Sequence, residues 1–264
     1  MSHADTSNAE DTGSLARRDW IAGLEKGLGL LEAFSDAHPR MSASQAGQRC
    51  GLTRTAARRH LLTLAHLGYV ATDGKLFWLT PRVLRLGQGY LESARLPRIA
   101  QPFLQRISAG THEHAYLAVL DGDDVVYVAR NGPTRVMSVG YVLGARVQAQ
   151  LTAAGLLLVA LRDNSFVAHW LASRDLKSYT SFSITQTETL RTALAQIRQQ
   201  GWALSEQQLE LGYRGIAVPL RDSKGEAVAA LSVTMPIGHE SSDAAVARVL
   251  PVLRDAAQAM RNLL

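Results

Sequence analysis

The run from Tyr69 to Leu79 constrains this chain most. Two β-prone stretches, Tyr69-Val70-Ala71-Thr72 and Lys75-Leu76-Phe77-Trp78-Leu79, flank Asp73-Gly74. An Asp-Gly pair between such stretches is a strong hairpin signal, because the tight turn needs residues tolerant of positive φ. Three helical patterns precede it. Ile21, Leu24, Leu28 and Leu31 recur at spacings of three and four, as a buried helix stripe requires, and Ser35, Asp36 and Pro39 stop that helix near Phe34. Ser42 is placed to cap a second helix running to about Cys50, with Gln45 at the third position of a capping box and Gly51 at the left-handed position after its end. Thr53 caps a third helix that reaches about Leu67, just before Gly68.

Three helices followed by a hairpin are the winged helix-turn-helix arrangement, in which the second helix of the motif enters the major groove. The charge pattern points the same way. The net charge is only +5, but residues 1–19 hold two Arg and four acids, and residues 20–95 hold ten bases and five acids. No Asp or Glu occurs in the 36 residues from Ala37 to Thr72, which contain Arg40, Arg49, Arg54, Arg58 and Arg59. A polyanion is the natural partner of such a surface; charge by itself also allows an ordinary solvated face. At about 100° per residue, Ala57, Leu61, Leu64 and Gly68 share the buried side of the third helix, while Arg54, Thr55, Arg58 and Arg59 fall in an adjoining arc of about 140°. Arg can fork to guanine or to phosphate, and Thr can reach a base or a thymine methyl. Arg54 and Thr55, nearest the helix start, are the first choices for base contact. Arg58 and Arg59 read bases or clamp phosphate, Lys75 at the hairpin tip is a candidate backbone contact, and Ser42 and Thr53 at the helix starts complete the candidate DNA-binding set.

The rest of the chain reads as mixed α and β. Met1 to Asp19 is polar without an apolar period, which predicts a disordered tail and, lacking an apolar core, no signal peptide. Pro81 opens a helix to about Ser93, and Pro97 and Pro102 bracket the start of another that reaches about Ser108. The expected division is therefore a tail over 1–19, a DNA-binding domain over 20–80, a linker helix over 81–96 and a second domain over 97–264. In that domain Ala115–Leu120 and Val125–Ala129 flank Asp121-Gly122-Asp123-Asp124, and Ile216–Leu220 and Ala227–Thr234 flank Asp222-Ser223-Lys224-Gly225, giving two further hairpins. Arg135 to Val142 is a strand candidate. Leu151 to Leu161 and Thr187 to Gln200 are helices, and Ser242 to Leu264 closes the chain as a helix bent near Pro251. An α+β class follows, with an antiparallel sheet and helices on one of its faces.

Catalytic and metal chemistry finds little foothold. His112 and His114 can share a strand face, yet no further ligand completes a zinc site. There is no G-x-S-x-G and no phosphate-binding loop. The aspartates of the Asp121–Asp124 turn resemble calcium ligands only superficially. Cys50 cannot form an internal disulfide because it is the sole cysteine, and no stretch is long and apolar enough for a membrane span. A soluble, intracellular protein without metal or cofactor is expected. An enzyme acting on a small acid, its N-terminal domain serving dimerisation, stands as the alternative, although no nucleophile and base can be nominated for it.

Residues 20–264 resemble the IclR family of transcriptional regulators. The resemblance rests on Gly27-Leu28-Gly29-Leu30-Leu31-Glu32-Ala33-Phe34, on Gly51 through Leu64, and on Leu67-Gly68-Tyr69-Val70. The Ala57-Arg58-Arg59 form of the recognition helix, together with Leu117 to Asp124 and Ile216 to Asp222, is most similar to the branch that controls aromatic-acid breakdown through the β-ketoadipate pathway. The resemblance implies a cytoplasmic, nucleoid-associated homodimer, often paired into a tetramer. Double-stranded DNA with a palindromic site would be one partner and a small carboxylic acid such as p-hydroxybenzoate, protocatechuate or β-ketoadipate the other. The branch tends toward activation. By residue matching the effector cavity would be lined by Thr152, Ala153, Ala154, Gly155, Ser205, Gly215, Ile216, Ser232 and Thr234. Free N–H groups at a helix start suit a carboxylate, though Ala153 to Gly155 equally suit tight helix–sheet packing. Ser232 and Thr234 alternate on a strand and so share a face. Arg135 and Met137 also share one strand face, with Arg135 either the counter-charge for an acidic effector or half of a surface ion pair. Ala154-Gly155-Leu156 departs from the polar-Gly-basic pattern common in the family, so the pocket is more apolar or draws its polar partner from elsewhere.

Overall fold

The computed structural model describes residues 19–133, 141–261 and 263–264. The strand candidate Arg135–Val142 and the tail over 1–18 therefore lie wholly or largely outside the described residues. The chain divides into two compact units between Gln88 and Gly89.

The first unit holds α1 (Ala22–Glu32), β1 (Met41–Ser42), α2 (Ala43–Arg49), α3 (Arg54–His66), β2 (Val70–Thr72) and β3 (Leu76–Leu79), followed by a 3-10 turn over Pro81–Val83. Local chemistry sets these boundaries. The Ser42 hydroxyl accepts from the Gln45 amide at 3.3 Å while Gln45 Oε1 accepts from the Ser42 amide at 2.9 Å, a complete capping box. Thr53 Oγ1 accepts from the Ala56 amide at 3.2 Å, and Gly51 and Gly74 take the positive φ values their turns require. The hairpin gains an unforeseen third strand. Met41 pairs with Phe77 and Ser42 with Leu76, giving the antiparallel order β1-β3-β2. Met41, Phe77, Val70, Leu30, Ala57 and Leu61 form the small core.

The α1 stripe corrects the expectation of burial. Ile21, Leu24 and Leu28 are 69%, 61% and 46% exposed, and Leu30 is the residue of α1 that is fully buried. The core of this unit reaches only the C-terminal end of α1, where Leu30, Leu31, Ala33 and Phe34 pack. The periodicity was real, but the face it marks is not covered by this unit.

α4 (Leu84–Ser93) carries the point of division. The second unit comprises α5 (Arg95–Thr111), β4 (His114–Asp121), β5 (Asp124–Asn131), β6 (Arg146–Gln148), α6 (Ala153–Ala160), α7 (Asn164–Ala172), α8 (Thr187–Gln200), β7 (Ala203–Glu206), β8 (Tyr213–Arg221), β9 (Ala227–Pro236) and α9 (Ser242–Arg261). Its six strands run antiparallel in the order β6-β5-β4-β9-β8-β7. Helices cover both faces, not one. Phe103, Leu104 and Ile107 of α5, with Val249 and Leu253 of α9, pack on Ile216, Val218, Leu231 and Val233. Leu157 of α6, with Leu190 and Leu194 of α8, packs on Tyr116, Tyr127 and Ala217 of the opposite face. Strand alternation is what divides these sets. All eight residues of α6 are buried, as befits a helix between the sheet and α8.

Three local expectations also change. α5 begins at Arg95 and contains both Pro97 and Pro102, so the two prolines lie inside the helix instead of bracketing its start. His112 takes the left-handed conformation that ends α5, with φ 59°, whereas His114 is buried at the start of β4, so the two do not share a strand face. In the β4–β5 turn, Arg146 pairs with Asp121 and Asp124 and Arg174 pairs with Asp123, so arginines occupy these carboxylates.

Candidate functional site

The exposed side of α3 is one candidate surface. Ala57, Leu61 and Leu64 are buried, and Arg54, Thr55, Arg58 and Arg59 all stand in solvent. Among the described residues, none of these three guanidiniums is paired with a carboxylate, which leaves their donors available. Thr53 is exposed too, but its hydroxyl is engaged in capping. The Ser42 hydroxyl also donates to Gln45 Oε1 at 2.9 Å, so it is committed to the start of α2. Lys75 stands at the tip of the wing, over a turn in which Asp73 Oδ1 accepts from the amides of Lys75 and Leu76 at 2.9 and 2.8 Å. These hydrogen bonds hold the Asp73 carboxyl below its ordinary pKa.

In the second unit a pocket opens between the start of α6, the strands β5, β8 and β9, and the loop after β7. It encloses about 540 Å³ of space between atoms, part of it open to solvent. Thr152, Ala153, Ala154, Ser205, Gly215, Ser232 and Thr234 meet there. Thr152 caps α6, its Oγ1 accepting from the Gly155 amide at 3.0 Å. Gly215 and Ala153 approach so closely that a Cβ at 215 would lie 3.4 Å from the Ala153 methyl. Ser205 Oγ donates to the Leu151 carbonyl at 3.3 Å.

Two of the matched residues are elsewhere. Ile216 points to the other face of the sheet, into the core beneath α5 and α9, because adjacent strand residues alternate. Gly155 is one residue too far into α6; a Cβ there would collide with the Ala149 main chain, so its smallness serves packing. Arg135 and Met137 lie outside the described residues.

Several pocket residues carried no sequence signal of their own. Tyr127, Tyr141, Leu151, Gln207, Gln208, Leu209, Glu210, Tyr213 and Arg214 complete the lining. Tyr127 and Tyr141 stack with centroids 4.2 Å apart and planes 6° from parallel, and Tyr116 meets both edge-on. Burial pushes the Tyr141 phenol up to about 12 and drives Tyr127 well above its ordinary value, so both stay protonated and able to donate near neutrality. The rim loop is fastened from outside. Thr180 Oγ1 donates to the Gln207 carbonyl at 2.5 Å, Ser183 Oγ donates to the Gln208 carbonyl at 2.6 Å, and Gln208 Oε1 accepts from the Ile184 amide at 2.8 Å. Arg214 lines the pocket as well, while its guanidinium pairs with Glu206 at 2.9 Å and donates to the Ser241 carbonyl at 2.8 Å.

A winged helix-turn-helix unit with a bare arginine face, joined to an α+β unit with a polar-lined pocket, defines a DNA-binding regulator that responds to a small molecule. The comparisons give the family. Residues 23–74 match the IclR helix-turn-helix domain and residues 88–262 match the bacterial transcriptional regulator IclR C-terminal domain, so the chain belongs to the IclR family of transcriptional regulators. It is 41% identical over 250 residues to the p-hydroxybenzoate hydroxylase transcriptional activator of Acinetobacter baylyi, covering 93% of this chain and 92% of that one. It is also 34% identical over 261 residues to the Pca operon regulatory protein of the same organism, covering 97% and 94%. Among solved structures, an IclR homologue complexed with 4-hydroxybenzoate from Microbacterium hydrocarbonoxydans superposes with a TM-score of 0.73 at 26% identity, over 91% of this chain and 98% of that one.

Proposed function

We propose that this regulator is a homodimeric activator of aromatic-acid catabolism, and that an aromatic carboxylic acid is its effector. The observation that carries the reading is the pairing, in one pocket, of a stacked tyrosine wall with the N-terminus of α6. An aromatic ring fits against Tyr127 and Tyr141, and a carboxylate fits the amides at Ala153 and Ala154, where the helix dipole favours negative charge. Ser205, Ser232, Thr234 and Tyr213 supply hydroxyls for ring substituents. Arg135 is retained as the counter-charge. The IclR homologue complexed with 4-hydroxybenzoate supports the ligand class, and the name of the p-hydroxybenzoate hydroxylase transcriptional activator supports the direction of control.

The DNA partner is a palindromic operator. Arg54 and Thr55 read bases, Arg58 and Arg59 read bases or hold phosphate, Lys75 contacts the backbone, and Ser42 and Thr53 orient the helix starts. The exposed Ile21, Leu24 and Leu28 stripe of α1 supplies the apolar surface that a second copy would cover, and a two-fold dimer reads two half-sites. Such a regulator works in the cytoplasm, at the nucleoid; none of the described helices is long and apolar enough to cross a membrane.

The test is calorimetry with 4-hydroxybenzoate, protocatechuate and β-ketoadipate, each followed by operator binding and a promoter reporter. The reading expects saturable binding of at least one acid, weakened by Arg135→Ala without loss of folding, and raised transcription in its presence. No heat with any of the three, or turnover of the bound acid, overturns it.

A further inference from the structure

Arg40 is the one arginine of the acid-free stretch whose guanidinium rests on an aromatic ring, and it stands outside the recognition helix. It immediately precedes β1, and the register Met41↔Phe77 places it directly across from Trp78. Met41 and Phe77 point into the core, so Arg40 and Trp78 share the outward face of the wing sheet. The Arg40 guanidinium carbon lies 4.3 Å from the centre of the Trp78 ring. Arg40 is exposed and Trp78 half-buried.

Among the described residues, no carboxylate forms an ion pair with this cation. Asp73, the one acid between Ala37 and Leu79, spends its oxygen on the Lys75 and Leu76 amides, and Arg40 adds only a weaker charge interaction with it. A guanidinium stacked on an indole keeps its in-plane N–H groups free while losing much of its rotamer freedom. Such a group is organised in advance to fork onto a phosphate, the commonest contact that positions a protein on DNA. Arg40 also leads directly into Ser42, the cap of α2, and shares the wing with Lys75. From this we infer that Arg40, held flat by Trp78, is a phosphate-contacting residue of the wing, so that the wing grips the DNA backbone through its outer sheet face as well as its tip.

The inference rests on the DNA-binding reading, and the experiment separates the two. Binding of the full-length protein to its operator and to a labelled random-sequence duplex is measured as a function of salt. Arg40→Gln is expected to weaken both duplexes by the same factor and to lower the slope of log affinity against log salt by about one per contacting subunit. Trp78→Leu retains the charge, so it should weaken both duplexes several-fold with the slope unchanged. Arg40→Lys should restore the slope but not the full affinity. Thermal melts establish that each variant is folded, and Trp78→Phe, which keeps a ring beneath the cation, replaces Trp78→Leu if that variant is not. If Arg40→Gln leaves affinity and slope as in the wild type while Arg54→Ala lowers operator affinity, this inference is wrong and the DNA-binding reading stands. If the wild type binds neither duplex, both fall.

Discussion

The rings of Tyr127 and Tyr141 lie parallel, 4.2 Å apart, and form one wall of the pocket whose floor is the start of α6. Tyr127 belongs to β5, whereas Tyr141 lies ten residues beyond the end of that strand and is tied back by Arg130, whose guanidinium donates to the Tyr141 carbonyl at 3.1 Å. The wall therefore depends on the chain returning over its own strand, and its chemistry depends on burial.

That burial sets a pH response. Tyr141 is raised from the usual 10.0 to about 12, so the folded state holds its phenolic proton where the unfolded chain has released it. Folding stability is then unaffected below pH 10 and falls as pH rises from about 10 to 12, by roughly 2 kcal/mol for this group. Urea denaturation at a series of pH values checks this: Tyr141→Phe should show a shallower alkaline decline than the wild type.

Gly155→Ala tests the packing role of the glycine. Its new methyl meets the Ala149 backbone, which cannot yield as a flexible side chain would. A loss of about 1–3 kcal/mol in unfolding free energy is expected. An unchanged denaturation midpoint would show that the turn over Ala149–Leu151 gives way freely.

Thr152→Val removes the cap of α6 at the edge of the pocket. Stability should drop by about 1 kcal/mol. Affinity for an aromatic acid should fall further than for an uncharged analogue, because the helix start frays where the carboxylate binds. Calorimetry with 4-hydroxybenzoate and its amide makes the comparison.

Leu24→Glu places a charge in the exposed α1 stripe without touching the core at Leu30. The variant should keep its fold by circular dichroism, sediment as a smaller species, and bind a full palindrome little better than a half-site.

Arg54→Ala should cost about 1–3 kcal/mol on the operator and much less on random-sequence DNA, since a base contact carries discrimination. Fluorescence anisotropy on both duplexes measures the difference. Equal losses on the two would reassign Arg54 to phosphate.

Much of this architecture was legible because its signals are local. The Ser42–Gln45 capping box, the Thr53 cap, the Asp73-Gly74 turn and the bounds of α8 at Thr187 and Gln200 each depend on residues within a turn or two of one another. The acid-free stretch and the arginine arc of α3 were equally plain, since helical spacing alone assigns a face.

Other features depended on partners distant in sequence. Two residues are too few to show strand periodicity, so β1 emerged only when Phe77 and Leu76 were seen beside it. Residue matching placed Gly215 and Ile216 together at the cavity, although neighbours on a strand face opposite ways; which face bears the pocket was decided by the fold, because helices cover both. Tyr127, Tyr141 and the rim from Gln207 to Glu210 converge through the folded chain and share no motif. Likewise, the spacing of Ile21, Leu24 and Leu28 established an apolar stripe, while only the tertiary structure revealed that this unit's core stops at Leu30. Periodicity records that a face is apolar; what covers that face is decided by the rest of the molecule, since burial is a property of the whole packing and not of the segment that is buried.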